Sequence, residues 1–159
     1  MMVSKELAGL ADDILRRDLE LRMPVYGQSM TPTINDGDMV VIKGKTPSEL
    51  RFGDLLLFKN NHGKTILHRL IRFLRQNNKV VLQTRGDSTY CLDEPISPAQ
   101  VLGIVSRIER SQTNGLTKII DLEHPCYRLY NYFIARRALL VSGLYYKLRP
   151  FKASTRQTP

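Results

Sequence analysis

The chain has no tryptophan and only two cysteines, Cys91 and Cys126, among its 159 residues. Two cysteines so far apart do not make the disulfide framework of a small secreted domain, and with the three histidines they show no spacing typical of a metal site. A reducing compartment is therefore allowed. We expect neither a metal ion nor an organic cofactor.

Long apolar runs are also missing. Nowhere do roughly 18 uncharged apolar residues follow one another, so we expect no ordinary membrane-spanning helix. The first residues, MMVSKELAGLADDILRR, are interrupted by Glu6, Asp12 and Asp13, whereas a secretory signal needs an uninterrupted apolar stretch. The sequence thus predicts no cleavable targeting peptide and no N-terminal anchor. It favours a protein that is cytoplasmic or peripheral at a membrane surface.

Acidic residues are absent from His124 to Pro159, although the whole chain has 15 of them. This segment attracts polyanions, either nucleic acid or an anionic membrane surface. Its interleaved Tyr, Leu, Phe and Ile residues favour peripheral association with an anionic membrane over nucleic acid, and a helix packed on its own domain is an equal alternative. The cations of the segment are Arg128, Arg136, Arg137, Lys147, Arg149, Lys152 and Arg156, which supply most of the net charge of +9.

The remaining pattern predicts one mainly β domain with a helix at each end. Apolar residues recur at helical spacing from about residue 4 to 17, and Pro125 begins a helical segment that runs to about Leu148. Between them, short β-type runs alternate with turn residues, which favours antiparallel pairing. We expect an N-terminal amphipathic helix at 1–18, a β domain at 19–121, and a basic C-terminal helix and tail at 122–159. The runs are LELRMPVY, MVVIK, DLLLFKN, KTILHRLIRFL, KVVLQT, VLGIVSRIE and LTKII.

The segment Gly27 to Thr33 offers a candidate nucleophile. Ser29 follows a glycine-containing turn after the first strand and precedes a proline, so its hydroxyl can be held in one place against a reacting carbonyl. Most serines in such turns only bond to the local backbone. The case for Ser29 therefore depends on what the rest of the chain supplies.

Four successive blocks resemble the signal peptidase I family, in order and spacing, from about Leu21 to Arg107. The resemblance implies the antiparallel β fold shared by signal peptidases and self-cleaving repressor proteases, and it identifies the β domain as a catalytic one. The blocks are Gly27–Thr33, GDMVV at 37–41, FGDLLLF at 52–58 together with LHRLI at 67–71, and TRGDS at 84–88 leading to Asp93 and VLGIV at 101–105.

The resemblance implies that Ser29 is the nucleophile and His68 the general base. The usual bacterial enzyme has lysine at the second position, and histidine there resembles the endoplasmic-reticulum, archaeal and sporulating-bacterial branch. An imidazole, with an ordinary pKa of about 6.5, needs less tuning than a lysine to act as a base. The alternative is a structural histidine whose hydrogen bonds are satisfied within the core, because His68 shares a strand face with Ile66 and Leu70.

Two aspartates compete for the third position. The resemblance matches Asp93 to the acceptor that orients the histidine ring, and Asp87 to a structural turn residue that supports the site. One inserted residue in this loop would exchange the two roles. For the oxyanion, the Ser29 backbone N–H is the first expected donor. Since Gly27 stands where many relatives carry a serine, the Gln28 side chain or another backbone N–H is the second.

The implied reaction is hydrolysis of a peptide or protein substrate through an acyl-enzyme, with small residues such as alanine preceding the cut. Two rival functions stay open. A self-cleaving repressor-like protease shares the Gly-x-Ser-Met turn, but the resemblance implies a lysine base in those enzymes. The region before Leu21 is also too short for a DNA-binding helix-turn-helix. A non-catalytic peptide-binding module on the same fold is the other rival.

Overall fold

The computed structural model describes residues 11, 13–17 and 19–148. Residues 11 and 13–16 are helical and form the end of the predicted N-terminal helix; the rest of that prediction lies outside the described residues. Within the described ranges, no helix has the length and apolar character needed to cross a bilayer.

The domain is one antiparallel sheet, as the turn-rich sequence predicted. The strand order is β1-β2-β6-β3-β4-β5, and β7 pairs with β6 beside β2 and β3. The long helix α1 follows the last strand. The mainly β fold with terminal helices is thus confirmed. The elements are β1 (Leu21–Pro24), β2 (Met39–Lys43), β3 (Leu55–Lys59), β4 (Thr65–Gln76), β5 (Lys79–Arg85), β6 (Val101–Ser111), β7 (Thr117–Asp121) and α1 (Pro125–Leu148).

The turns between sequential strands follow from their residue types. Asn77 and Asn78 connect β4 to β5 with φ of 49° and 61°, which is the left-handed backbone that asparagine tolerates in tight hairpins. Pro24 ends the short β1, which lies at one edge of the sheet, where a residue without a backbone N–H costs no ladder bond.

Apolar side chains cover both faces of the central strands. On β3, Leu55 and Leu57 belong to one buried cluster, whereas Leu56 and Phe58 belong to a second, because successive side chains of a strand point to opposite faces. A third, smaller cluster joins Ile71 of β4 to Ala135 and Ala138 of α1. The helix is therefore packed on the sheet.

The pairing of β4 with β5 divides polar side chains between two faces. Arg69 lies opposite Arg85, and Leu70 lies opposite Thr84. Since directly opposed residues share a face and neighbours along a strand do not, His68 and Thr84 lie on one face and the two arginines on the other. The candidate site and the contact with α1 are built on these two faces.

Phe58 and Phe73 form a matched pair for testing this core. Phe58 on β3 is fully buried, whereas Phe73 on the neighbouring β4 is 44% exposed. We expect Phe58→Ala to lower the free energy of unfolding by about 3–5 kcal/mol through lost burial and a residual cavity. Phe73→Ala should cost about 1 kcal/mol or less. Urea denaturation of both variants measures the difference, and equal losses would contradict this packing.

Candidate active site

Ser29 lies in the turn between β1 and β2, and contacts on both sides hold that turn. The Gly27 N–H donates to Asp36 Oδ1 over 2.6 Å, and Gly27 has a φ of 106° that favours glycine. On the other side, the Ser88 N–H donates to the Ser29 carbonyl over 3.0 Å, and the Ser88 hydroxyl donates to the Gln28 carbonyl over 2.8 Å. Ser29 itself is half-buried.

Ser29, His68 and Asp93 form one chain of hydrogen bonds. The Ser29 Oγ lies 3.2 Å from His68 Nε2, and His68 Nδ1 lies 2.7 Å from Asp93 Oδ2. Because an ionised carboxylate only accepts hydrogen bonds, Nδ1 donates to Asp93, and in the neutral ring Nε2 accepts from the Ser29 hydroxyl. His68 is 8% exposed, so its orientation is held by its surroundings.

The Asp93 carboxylate is itself held by β5. The Thr84 hydroxyl donates to Asp93 Oδ2 over 2.6 Å, and the Asp93 N–H donates to the Thr84 carbonyl over 2.9 Å. Two donors, the Thr84 hydroxyl and His68 Nδ1, thus hold the carboxylate, and the backbone bond to Thr84 fixes the residue that carries it. Such support fixes both the tautomer and the orientation of a histidine base.

Gly86 leaves the space in which this chain of hydrogen bonds fits. A Cβ at position 86 would lie 2.6 Å from the Ser29 carbonyl oxygen and 3.1 Å from His68 Nε2. The first distance is shorter than any ordinary contact, and the backbone oxygen that it meets cannot rotate away. Only glycine lets the loop after β5 approach Ser29 and the His68 ring this closely.

Asp87 does not reach the His68 ring and is bound to Arg69 instead. Its two carboxylate oxygens accept from Arg69 Nε and Nη2, each over 2.7 Å, and Thr33 Oγ1 also donates to it. Arg69 is fully buried and donates through Nη1 to the Gly53 carbonyl and to Asn131 Oδ1, each over 2.9 Å. Asp87 therefore neutralises a buried cation.

Arg85 on β5 makes a second connection between the sheet and α1, after that of Arg69 on β4. Its Nη1 donates to the Ala138 carbonyl and to Ser142 Oγ, each over 2.8 Å, and the Ser142 hydroxyl donates to the Tyr90 carbonyl over 3.1 Å. Burial lowers the pKa of the Arg85 guanidinium below its ordinary value. The helix thus contacts the loop that carries Asp93.

Sequence reasoning assigned no role to Arg69, Arg85, Thr84 or Asn131. One signal was available for Arg69, because an arginine followed directly by Leu70 and Ile71 in the block LHRLI indicates a buried charge that needs partners. Its partner Asn131 lies 62 residues further along the chain. Nothing in the local pattern of α1 indicates that contact.

Gln28 and the other two histidines lie outside this chain of hydrogen bonds. The Gln28 side chain is exposed beside Ser29. His62 is exposed in the β3–β4 turn near Glu94, and His124 Nδ1 accepts from the Cys126 N–H at the start of α1. These local contacts account for both histidines without a catalytic role. In the described part of the chain, no three His, Cys, Asp or Glu side chains are grouped to hold a metal ion.

The two aspartates differ in a measurable way. Asp87→Asn should lower the free energy of unfolding by about 3–5 kcal/mol, because it leaves the Arg69 cation buried without its counter-charge. Asp93→Asn, whose side chain is 25% exposed, should cost about 1 kcal/mol or less. Guanidinium denaturation of both variants gives the comparison. Equal stability of the two variants would contradict the structural role of Asp87.

Comparison with known proteins also relates this chain to peptidases. Signal peptidase I W of Bacillus subtilis (strain 168) is 29% identical over 79 residues, which cover 48% of this chain and 42% of that protein. The chain therefore matches less than half of the length of this curated relative. No solved structure shows a significant match. Residues 13–106, more than half of the chain, match the family described as Peptidase S24-like. The resemblance seen in the sequence blocks is thereby confirmed, and the chain belongs to the Peptidase S24-like family.

Proposed function

We propose that this chain is a serine endopeptidase that resembles signal peptidase I and works through an acyl-enzyme. The observation that supports the proposal most directly is the pair of distances through His68, 3.2 Å to Ser29 Oγ and 2.7 Å to Asp93 Oδ2. These are the contacts that a nucleophile, a base and an orienting acceptor need. Membership in a peptidase family gives independent support.

In the proposed reaction, Ser29 Oγ attacks the scissile carbonyl while His68 Nε2 takes its proton. The imidazolium that forms is stabilised by Asp93, and it then gives the proton to the leaving amine. Water, activated by the same ring, attacks the acyl-enzyme and releases the second product. Every proton transfer thus passes through His68 Nε2, and the Asp93 carboxylate stays ionised throughout.

The oxyanion of the tetrahedral intermediate needs preorganised donors. We assign the first donor to the Ser29 backbone N–H and the second to the side-chain amide of Gln28. Support comes from the contacts that hold the turn, because Ser88 binds the carbonyls of both residues. A donor on a fixed backbone needs no reorganisation when negative charge develops. Asp87 acts at a distance, by holding the loop through Arg69.

The proposed substrate is a peptide or leader segment with small residues, such as alanine, before the scissile bond. This preference comes from the likeness to a signal peptidase. A self-cleaving protease, the rival within the same family, makes a different prediction. Incubation of the purified chain alone should leave its mass unchanged under the present proposal, whereas intramolecular scission would produce two fragments at a rate independent of protein concentration.

Ser29→Ala tests the nucleophile. We expect kcat/KM for synthetic peptides with alanine before the cut to fall at least about 1,000-fold, because the attacking oxygen is lost. The exposed Ser111→Ala serves as the matched control and should keep full activity. Circular dichroism should show the same fold in both variants. Activity that survives in folded Ser29→Ala protein would refute the acyl-enzyme mechanism.

The pH profile tests the base. Since a protonated imidazole cannot accept the serine proton, log kcat/KM should fall with a slope of one toward acid pH in the wild-type protein.

Asp93→Asn should reduce kcat by at least about 100-fold, because the ring loses the acceptor that fixes its tautomer. His68→Ala should abolish the activity. A flat profile across the acid range would require a base other than His68.

A further inference from the structure

The fully buried side chains of helix α1 are all small or polar. Its buried residues are Asn131, Ala135, Ala138 and Ser142, which recur at i, i+4, i+7 and i+11 and so form one face. Two of them bind buried arginines. Small side chains let the helix approach Arg69 and Arg85 closely.

The opposite face of α1 carries large apolar side chains that are exposed in the described part of the chain. They stand within about 60° of one another around the helix, roughly opposite the buried face. We call them the outer stripe. An ordinary surface helix has the reverse arrangement, with its apolar face toward the core. The outer stripe consists of Leu129, Phe133, Leu140 and Leu144, which are 58%, 60%, 75% and 57% exposed.

Positive charge borders the outer stripe. Arg136, Arg137 and Lys147 are exposed on α1, on or beside the same side of the helix. No aspartate or glutamate occurs after Glu123 in the sequence, so these cations have no acidic neighbour on their own helix. A large apolar face with a basic border is the arrangement of a helix that lies in the interface of an anionic membrane.

We propose that α1 docks with its outer stripe on an anionic lipid surface. The helix is about 36 Å long at 1.5 Å per residue, so it can lie flat and bury the whole stripe. Charge selects this occupant over a second copy of the chain, because pairing two identical stripes brings like charges together without compensation. Anionic headgroups instead compensate every cation at the border.

This orientation sets the distance between the lipid surface and the loop that carries Asp93. The inner side of α1 contacts that loop, through the Ser142 hydroxyl on the Tyr90 carbonyl and through Tyr146 Oη, which accepts from the Leu92 N–H. Tyr90 and Tyr145 also stack with their ring centroids 6.0 Å apart. The loop therefore lies about one helix diameter, some 10 Å, from the docked face.

Vesicle co-sedimentation tests the proposal with the full chain carrying Ser29→Ala, which makes the result independent of peptidase activity. The protein should bind phosphatidylcholine vesicles that contain phosphatidylserine, ignore pure phosphatidylcholine, and bind more weakly as salt rises. Leu140→Glu with Leu144→Glu should reduce binding at least about tenfold. The matched control is Leu116→Glu with Ile119→Glu, two exposed apolar residues of the β6–β7 hairpin, and it should bind like the parent.

Charge is tested separately. Arg136→Gln with Arg137→Gln should weaken binding about fivefold for each cation removed, whereas Lys79→Gln with Lys118→Gln, on the exposed surface of β5 and β7, should change it little. All substituted side chains are exposed, so thermal unfolding should stay close to that of the parent. The proposal is overturned if anionic vesicles are not bound, if both members of a matched pair lose binding equally, or if sedimentation equilibrium shows a dimer that Leu140→Glu disrupts.

Discussion

The alternation of side chains along the paired strands β4 and β5 is the constraint on which the rest of the structure depends. His68 and Arg69 are neighbours in sequence, yet one meets Ser29 and Asp93 and the other is buried against α1. Because the side-chain period of a strand is two, a slip of one residue would exchange these faces. The same register therefore positions the proposed base and anchors the helix.

Burial of Arg69 dictates much of what surrounds it. A guanidinium without water needs a counter-charge and acceptors for its remaining protons, and Asp87, Thr33, Gly53 and Asn131 supply them. Asp87 is occupied by this task, so the acceptor for the His68 ring comes from another residue of the same loop. The division of labour between the two aspartates follows from the buried arginine.

The loop between β5 and β6 is held between the turn that carries Ser29 and α1. Gly86 and Ser88 contact the backbone around Ser29, while Tyr90 and Leu92 contact the helix. Motion of α1 would therefore reach the proposed site through one short segment. The loop thus connects the helix that carries the outer stripe to the proposed catalytic residues.

The sequence by itself determined the features that depend on near neighbours in the chain. Period-two apolar runs and the Asn77–Asn78 turn predicted the antiparallel strands, Pro125 predicted the start of α1, and the order of motif blocks singled out Ser29 and His68. Only the tertiary structure decided the strand order, the partners of Arg69, and which aspartate meets the ring. These contacts join residues that are far apart in the chain, 62 positions in the case of Arg69 and Asn131, and such pairs leave no local periodicity to read. The inward face of α1 is the clearest case, since hydrophobicity alone would have turned Leu129, Leu140 and Leu144 toward the core. Two buried arginines instead required small and polar side chains at its centre.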